Sequence, residues 1–322
     1  MWRVGHTAAF LDFATVSHDD VDVAALHQVL PDLHFYSTTT DDEVSERIVD
    51  SEILLINKVV LDKSRIDAAP RLRLICAAAT GTDNVDLDAA RARDIAVCNI
   101  RSYCTSSVAQ HVFALVLALT HHLEGYQRLL SEGAWRGSPQ FCLLDFPIRE
   151  LSGKVLGIVG HGELGGAVAT IARAFGMHVL LAERPEADTR KDRLALQDLL
   201  HRVDILSLHC PLNRQTHNLI AAAELARMKP DALLINTARG ALVDATALVA
   251  ALRAGKLGGA GIDVLEREPP VAGSPLLEAD IPHLIVTPHI AWAAVEARQR
   301  AIVEIAANIT AWQAGERRNR VV

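Results

Sequence analysis

What the 322-residue sequence lacks narrows it first. Its five cysteines, Cys76, Cys98, Cys104, Cys142 and Cys210, are odd in number and scattered, with no Cys-x-x-Cys pair. That pattern excludes a disulfide framework and a zinc ribbon, and it fits thiols in a reducing compartment. Clustered cations are scarce too. The formal net charge is −7, and the one basic cluster, Arg317, Arg318 and Arg320, reads as a solvated tail. Nucleic acid and anionic membrane are therefore not expected partners. Long apolar runs are missing, because the helical stretch Val112 to Leu119 is too short to span a bilayer. Met1-Trp2-Arg3-Val4 does not open a signal peptide, so the expected location is cytoplasmic. There is no low-complexity tract, and no repeat beyond a strand–helix rhythm.

What is present, 50% apolar and 22% charged residues over this length, suits a globular chain of about two domains. Its organising stretch runs from Val155 to Glu183. An apolar run (Val155, Leu156, Ile158, Val159) enters Gly160-His161-Gly162-Glu163-Leu164-Gly165, and Leu164, Val168, Ile171 and Phe175 follow at helical spacing. A second apolar run, His178 to Ala182, ends in Glu183. Strand, glycine turn, helix and an acid at the next strand's end make a dinucleotide site. Gly160 permits the tight turn, Gly162 the approach of a pyrophosphate to the backbone, and Gly165 the close packing of helix on strand. A structural glycine turn in a parallel sheet is the bland alternative.

Before that stretch, strands are expected at Ala8 to Phe13, Leu33 to Tyr36, Ile53 to Asn57, Leu72 to Ala78 and Ile95 to Cys98. Helices are expected at Val21 to Leu30, Asp42 to Val49 and Leu87 to Arg93, which makes βα units and a parallel sheet. The turn Ala77 to Asn84, with Ala79, Thr80 and Gly81 at its centre, reads equally as an anion nest or as a tight connection capped by Asp83 or Asn84. One long helix is expected from Thr105 towards Leu130. The apolar loop 131–150 that follows should pack against other protein. Past Glu183, strands at Val203 to His209, Ala232 to Asn236, Gly259 to Asp263 and Leu284 to Thr287 bring the second sheet to six. Helices at Ala221 to Arg227 and Thr246 to Ala254 separate them, and Ile302, Ile305, Ile309 and Trp312 mark an amphipathic closing helix.

Open parallel sheets bind ligands outside the carboxyl ends of their strands. There the sequence places His209-Cys210-Pro211, Thr237-Ala238-Arg239, Asp263 and Pro288-His289. Arg239 can grip a carboxylate through two parallel hydrogen bonds and never loses its charge. His289 carries an imidazole, the side chain suited to protonating a developing alkoxide. Glu268 or Glu266 can hold that imidazole in one tautomer, and spacing does not choose between them.

The blocks Val159 to Gly165, Ile235-Asn236-Thr237-Ala238-Arg239-Gly240, Gly261 to Val264 through Glu268-Pro269, and Thr287 to Trp292 together resemble the signatures of the D-isomer-specific 2-hydroxyacid dehydrogenases. The resemblance runs through nearly the whole chain and is strongest to the glycerate dehydrogenase, or hydroxypyruvate reductase, branch. It implies an α/β fold of two Rossmann-like domains with doubly wound parallel sheets. The cofactor domain, 101–289, would be inserted into a flavodoxin-like substrate domain formed by 1–100 and 290–322. It implies Arg239, Glu268 and His289 as catalytic residues, with Ala79, Thr80 and Gly81 joining Arg239 and His289 on the substrate. Glu268, where related formate dehydrogenases carry glutamine, argues against that branch.

Cofactor contacts implied in the same way are Thr105, Gly160, Gly162, Glu163, Leu164, Gly165, Glu183, Cys210, Pro211, Thr216, Thr237, Ala238, Asp263 and His289. The cofactor would be NAD, with NADP open because Arg184 adjoins Glu183, a glutamate where aspartate is commoner. Partners would be a small 2-oxo or 2-hydroxy acid and a second copy of the chain; no metal is expected. Two departures carry no chemistry: Gln110 stands where many relatives have glutamate, and the stretch before Ala8 is longer than usual. An NADP-preferring glyoxylate reductase and a non-enzymatic, dinucleotide-sensing, corepressor-like scaffold are the competing functions.

Overall fold

The computed structural model describes residues 7–183 and 192–322, so Arg184 and the first six residues lie outside it. The chain divides into two compact units, one of Met1–Cys104 with Ala293–Val322 and the other of Thr105–Trp292.

The first unit alternates β1 (Ala8–Phe10), α1 (Ala24–Val29), β2 (Leu33–Phe35), α2 (Val44–Ile48), β3 (Ile53–Ile56), α3 (Lys63–Asp67), β4 (Leu74–Ala77), α4 (Leu87–Ala92) and β5 (Ala96–Cys98). All its strand pairs are parallel, in the order β2-β1-β3-β4-β5 of flavodoxin-like sheets. Helices cover both faces of such a sheet, so Ile53–Ile56 and Leu74–Ala77 are continuously apolar and wholly buried. Asp62 and Asp86 cap α3 and α4 by accepting from backbone amides of the first turn. The last helix of the chain, α11 (Val295–Gln313), packs on α1 and β4 through Ala297, Ala301, Ile302, Ile305 and Ile309. Its Arg298 is fastened by paired 2.6 Å bonds to both carboxylate oxygens of Asp20.

The second unit contains α5 (Thr105–Thr120), α6 (Leu123–Ser131), β6 (Val155–Val159), α7 (Glu163–Ala174), β7 (His178–Ala182), β8 (Arg193–Leu194), α8 (Leu196–Leu200), β9 (Ile205–Leu208), α9 (Ala222–Leu225), β10 (Leu233–Asn236), α10 (Ala245–Arg253), β11 (Gly259–Ile262) and β12 (Leu284–Val286). Its sheet is parallel throughout, in the order β12-β11-β10-β9-β6-β7-β8. Strand order reverses between β6 and β9, and ligands settle at such a switch point. The expected fold class is the one observed.

Two expectations need correction. The second sheet has seven strands among the described residues, not six, because β8 adds an edge; two residues are too short to show a period. The long helix from Thr105 also breaks. Thr120 turns its hydroxyl back onto the Val116 carbonyl, and His122 adopts a left-handed φ of 49°, so α5 ends and α6 starts afresh.

Candidate active site

The glycine turn is built as a phosphate cradle. Gly160 has φ +97°, and a Cβ there would lie 2.5 Å from the Cys210 amide nitrogen. A Cβ on Gly165 would meet the Gly160 carbonyl oxygen at 2.2 Å, so α7 can approach β6 only with glycine. Gly162, in contrast, faces open space at the N-terminus of α7, where the amides of the first turn and the helix dipole favour an anion. Beside it opens a cavity of about 790 Å³, lined by Gly160, Gly162, Glu183, Cys210, Pro211 and Thr216. That is the size and chemistry of a dinucleotide's adenosine and pyrophosphate half. These residues fit the group.

Other expected cofactor residues sit around the same edge. Thr105 opens α5 and donates its hydroxyl to the Glu163 carboxylate. Leu164 lies in α7, and Glu183 directly follows β7 and is exposed. Thr216 is turned inward, donating to the Pro211 carbonyl at 2.7 Å, and so shapes its loop. The Thr237 hydroxyl is buried without a hydrogen-bond partner among the described residues. Burial pushes the Cys210 thiol up to about 11, and burial pushes His209, beside it, down to about 4.

Over the opposite half of the sheet, the turns that follow β10, β11 and β12 carry Arg239, Glu268 and His289, and the Arg239 guanidinium donates to the Ala238 carbonyl at 2.8 Å. The Arg239 turn follows β10 and is pinned by Asn236, whose side chain accepts from the Ala238 amide and donates to the Arg239 carbonyl. A Cβ on Gly240 would fall 2.0 Å from the Leu265 carbonyl carbon, so the Arg239 turn and the 263–268 loop touch backbone to backbone. Within that loop Glu268 accepts from the Leu265 amide at 2.7 Å through one carboxylate oxygen. The other meets His289 Nδ1 at 2.5 Å. The hydrogen bond falls on Glu268, not Glu266.

His289 itself is held in a left-handed conformation, φ 56°, which costs an L-residue about 1–2 kcal/mol. Asp263 sustains it. This carboxylate is 1% exposed and accepts from the Thr287 hydroxyl at 2.6 Å, the Ile290 amide at 2.9 Å and the Ala291 amide at 2.8 Å. The Asp263 carbonyl takes the His289 amide at 2.7 Å. Asp263, expected as a cofactor contact, has its carboxylate occupied by the histidine loop. Because Thr287 donates to Asp263, it can only accept from His111, 3.0 Å away, which places a proton on His111 Nε2. His111 was missed. Its only signal is a polar side chain at a sheet-facing position of α5.

Ala79, Thr80 and Gly81 belong to the first unit and follow β4. Thr80 donates its hydroxyl to the Ile100 carbonyl at 2.9 Å, and Asn99 donates to the Thr80 carbonyl at 2.7 Å. Both clamps fix the turn to the end of β5.

A doubly wound sheet with a glycine cradle on one half and, on the other, a Glu268–His289 pair on a loop that abuts the Arg239 turn defines a nicotinamide-dependent oxidoreductase. Comparison with known proteins gives the family. Residues 113–291 match the NAD-binding domain model of D-isomer-specific 2-hydroxyacid dehydrogenases. The chain is 45% identical to a glycerate dehydrogenase of Methylorubrum extorquens, over 89% of this chain and 90% of that one. It is 38% identical to a hydroxypyruvate reductase of Blautia hydrogenotrophica, over 84% and 85%. A crystal structure of a Thermus thermophilus protein superposes with a TM-score of 0.86 at 34% identity, covering 98% of this chain and all of that one. The chain belongs to the D-isomer-specific 2-hydroxyacid dehydrogenase family.

Proposed function

We propose that the protein moves hydride between NAD(H) and C2 of a small 2-oxo or D-2-hydroxy acid of the glycerate and hydroxypyruvate type. The observation that carries this is the 2.5 Å bond between Glu268 and His289 Nδ1, on a histidine whose backbone is locked by Asp263. With Nδ1 engaged, Nε2 is the nitrogen left to face a substrate. In reduction, NADH supplies the hydride. The protonated His289 gives its Nε2 proton to the C2 oxygen as negative charge builds there, and the Glu268 carboxylate stabilises the imidazolium beforehand. Arg239 binds the substrate carboxylate; by the family resemblance the Thr80 and Gly81 amides of the first unit are substrate contacts too. Water returns the proton to His289 afterwards. The names of the relatives support this substrate class.

Glu183 supports NAD over NADP, because a carboxylate at the end of β7 repels a 2′-phosphate. Following absorbance with NADH and NADPH against hydroxypyruvate, glyoxylate and phenylpyruvate tests both points. Turnover of hydroxypyruvate with NADH preferred is expected. No turnover with any 2-oxo acid would favour the sensing scaffold instead, and NADPH preference the glyoxylate reductase reading.

A homodimer is part of this reading. Trp135, Phe141, Leu144 and Ile148 on the α6 arm and its loop are 52%, 90%, 79% and 54% exposed, an apolar surface rarely left in water. Sedimentation should show a dimer that Phe141→Asp with Leu144→Asp weakens; a monomeric wild type would remove this element.

A further inference from the structure

The Arg317–Arg320 segment, a solvated tail by composition, is not one in the structure. It returns antiparallel beside β5 as an isolated bridge, Arg320 opposite Cys98: the Val321 amide donates to the Val97 carbonyl at 2.8 Å and the Asn99 amide to the Asn319 carbonyl at 3.1 Å. This pairing assembles a cavity of about 400 Å³ whose wall carries Arg91, Arg101, Arg317 and Arg320 with Asn319. Four guanidiniums therefore face one small space. Arg91 pairs with Asp88 at 2.5 Å, both side chains being exposed, and Arg320 donates from Nε to the Val322 carbonyl. Arg101 and Arg317 have no carboxylate or other hydrogen-bond partner among the described residues. Arg91 and Arg320 thus already meet acceptors, and Arg101 and Arg317 bring two further positive charges to the same wall; like charges repel, so an anion seated between those two is favourable.

We propose that this cavity binds a small multivalent oxyanion, of the phosphate-ester or polycarboxylate kind, and that the bound anion stiffens the 79–81 turn through β5. Arginine forks match the oxygens of such groups bidentately, and several forks around one space select a multiply charged ligand over chloride. The volume admits a small molecule. The route to the turn is short and covalently continuous. Asn319 pairs with Asn99; the next residue, Ile100, donates its amide to the Ala79 carbonyl at 3.1 Å and accepts the Thr80 hydroxyl at 2.9 Å. Arg101, from the cavity wall, directly follows Ile100. An anion drawing Arg101 and Arg317 together fixes both strands of this edge. That such stiffening bears on substrate binding rests on the function proposed above; binding and stiffening themselves do not.

The test is calorimetric titration of the full chain with inorganic pyrophosphate and, separately, citrate, at constant ionic strength because exposed charges are screened. NADH is kept saturating, so that the glycine cradle is not the phosphate site being measured. Both side chains are exposed and without partners among the described residues, so Arg101→Gln with Arg317→Gln leaves the fold intact. Binding of either anion to wild type, weakened about tenfold or more in the double variant, is expected, since two charge-assisted contacts are lost. Amide exchange at Asn99 and Ile100 should slow with the anion in wild type and not in the variant. Equal affinities in the two proteins would overturn the site. Binding without protection at Asn99 and Ile100 would overturn the coupling. If NADH itself does not bind, the nucleotide reading fails, and the comparison without it still decides the arginine site.

Discussion

Replacing Asp263 by alanine probes how the histidine loop is held. The carboxylate is 1% exposed and accepts three hydrogen bonds, from Thr287, Ile290 and Ala291, at 2.6 to 2.9 Å. Bonds to a charged acceptor contribute about 1.5–3 kcal/mol each, so the gross loss is about 5–9 kcal/mol. Burying a carboxylate costs several kcal/mol, which the variant no longer carries, and the net destabilisation is then about 3–5 kcal/mol. For a unit of this size that lowers Tm by roughly 6–20 °C, readable by circular dichroism melting. His289 is also released. Its left-handed backbone is disfavoured by about 1–2 kcal/mol, so the loop relaxes and the Nδ1–Glu268 bond is lost. kcat should fall with NADH affinity nearly unchanged. Wild-type Tm and kcat in Asp263→Ala would refute the reasoning.

Two further outcomes follow from the same unit. His209 titrates at about 4 when folded against 6.5 normally, because burial disfavours its charged form. The unfolded chain therefore binds the extra proton between those values, so stability is full above pH 6.5 and falls by up to about 3 kcal/mol as pH drops to 4. Denaturant midpoints across that range check it, and in His209→Gln this part of the slope should vanish. Gly240→Ala forces a methyl into the Leu265 backbone, where 2.0 Å leaves no room. It should cost about 1–3 kcal/mol or more and raise KM by displacing Arg239, whereas unchanged KM would mean the two loops need not touch.

What the sequence made legible was local. Apolar runs gave the central strands because both faces of these sheets are buried, and the glycine turn declared itself because each of its close approaches lies within a few residues. The β8 edge was too short for any period, and the break at His121-His122 depends on a left-handed residue that no pattern announces. Arg239 and His289 could be located by their strand-end positions. Choosing Glu268 over Glu266 needed the loop's curvature, which turns one carboxylate onto His289. His111 and the structural use of Asp263 join α5, β11 and the loop after β12, pairings remote in sequence. The arginine cavity was hidden for the same reason: Arg91, Arg101 and Arg317 meet only when the tail pairs with β5.

The central claim is that His289, braced by Glu268, is the proton donor to a 2-oxo acid. Steady-state NADH oxidation with hydroxypyruvate across pH, for wild type, His289→Ala and Glu268→Gln, tests it most directly. His289→Ala should lose about 10²–10⁴-fold in kcat while NADH binding is retained. Glu268→Gln should keep only partial activity, because the imidazolium loses the carboxylate that pairs with its Nδ1. Near wild-type turnover in His289→Ala would contradict the account.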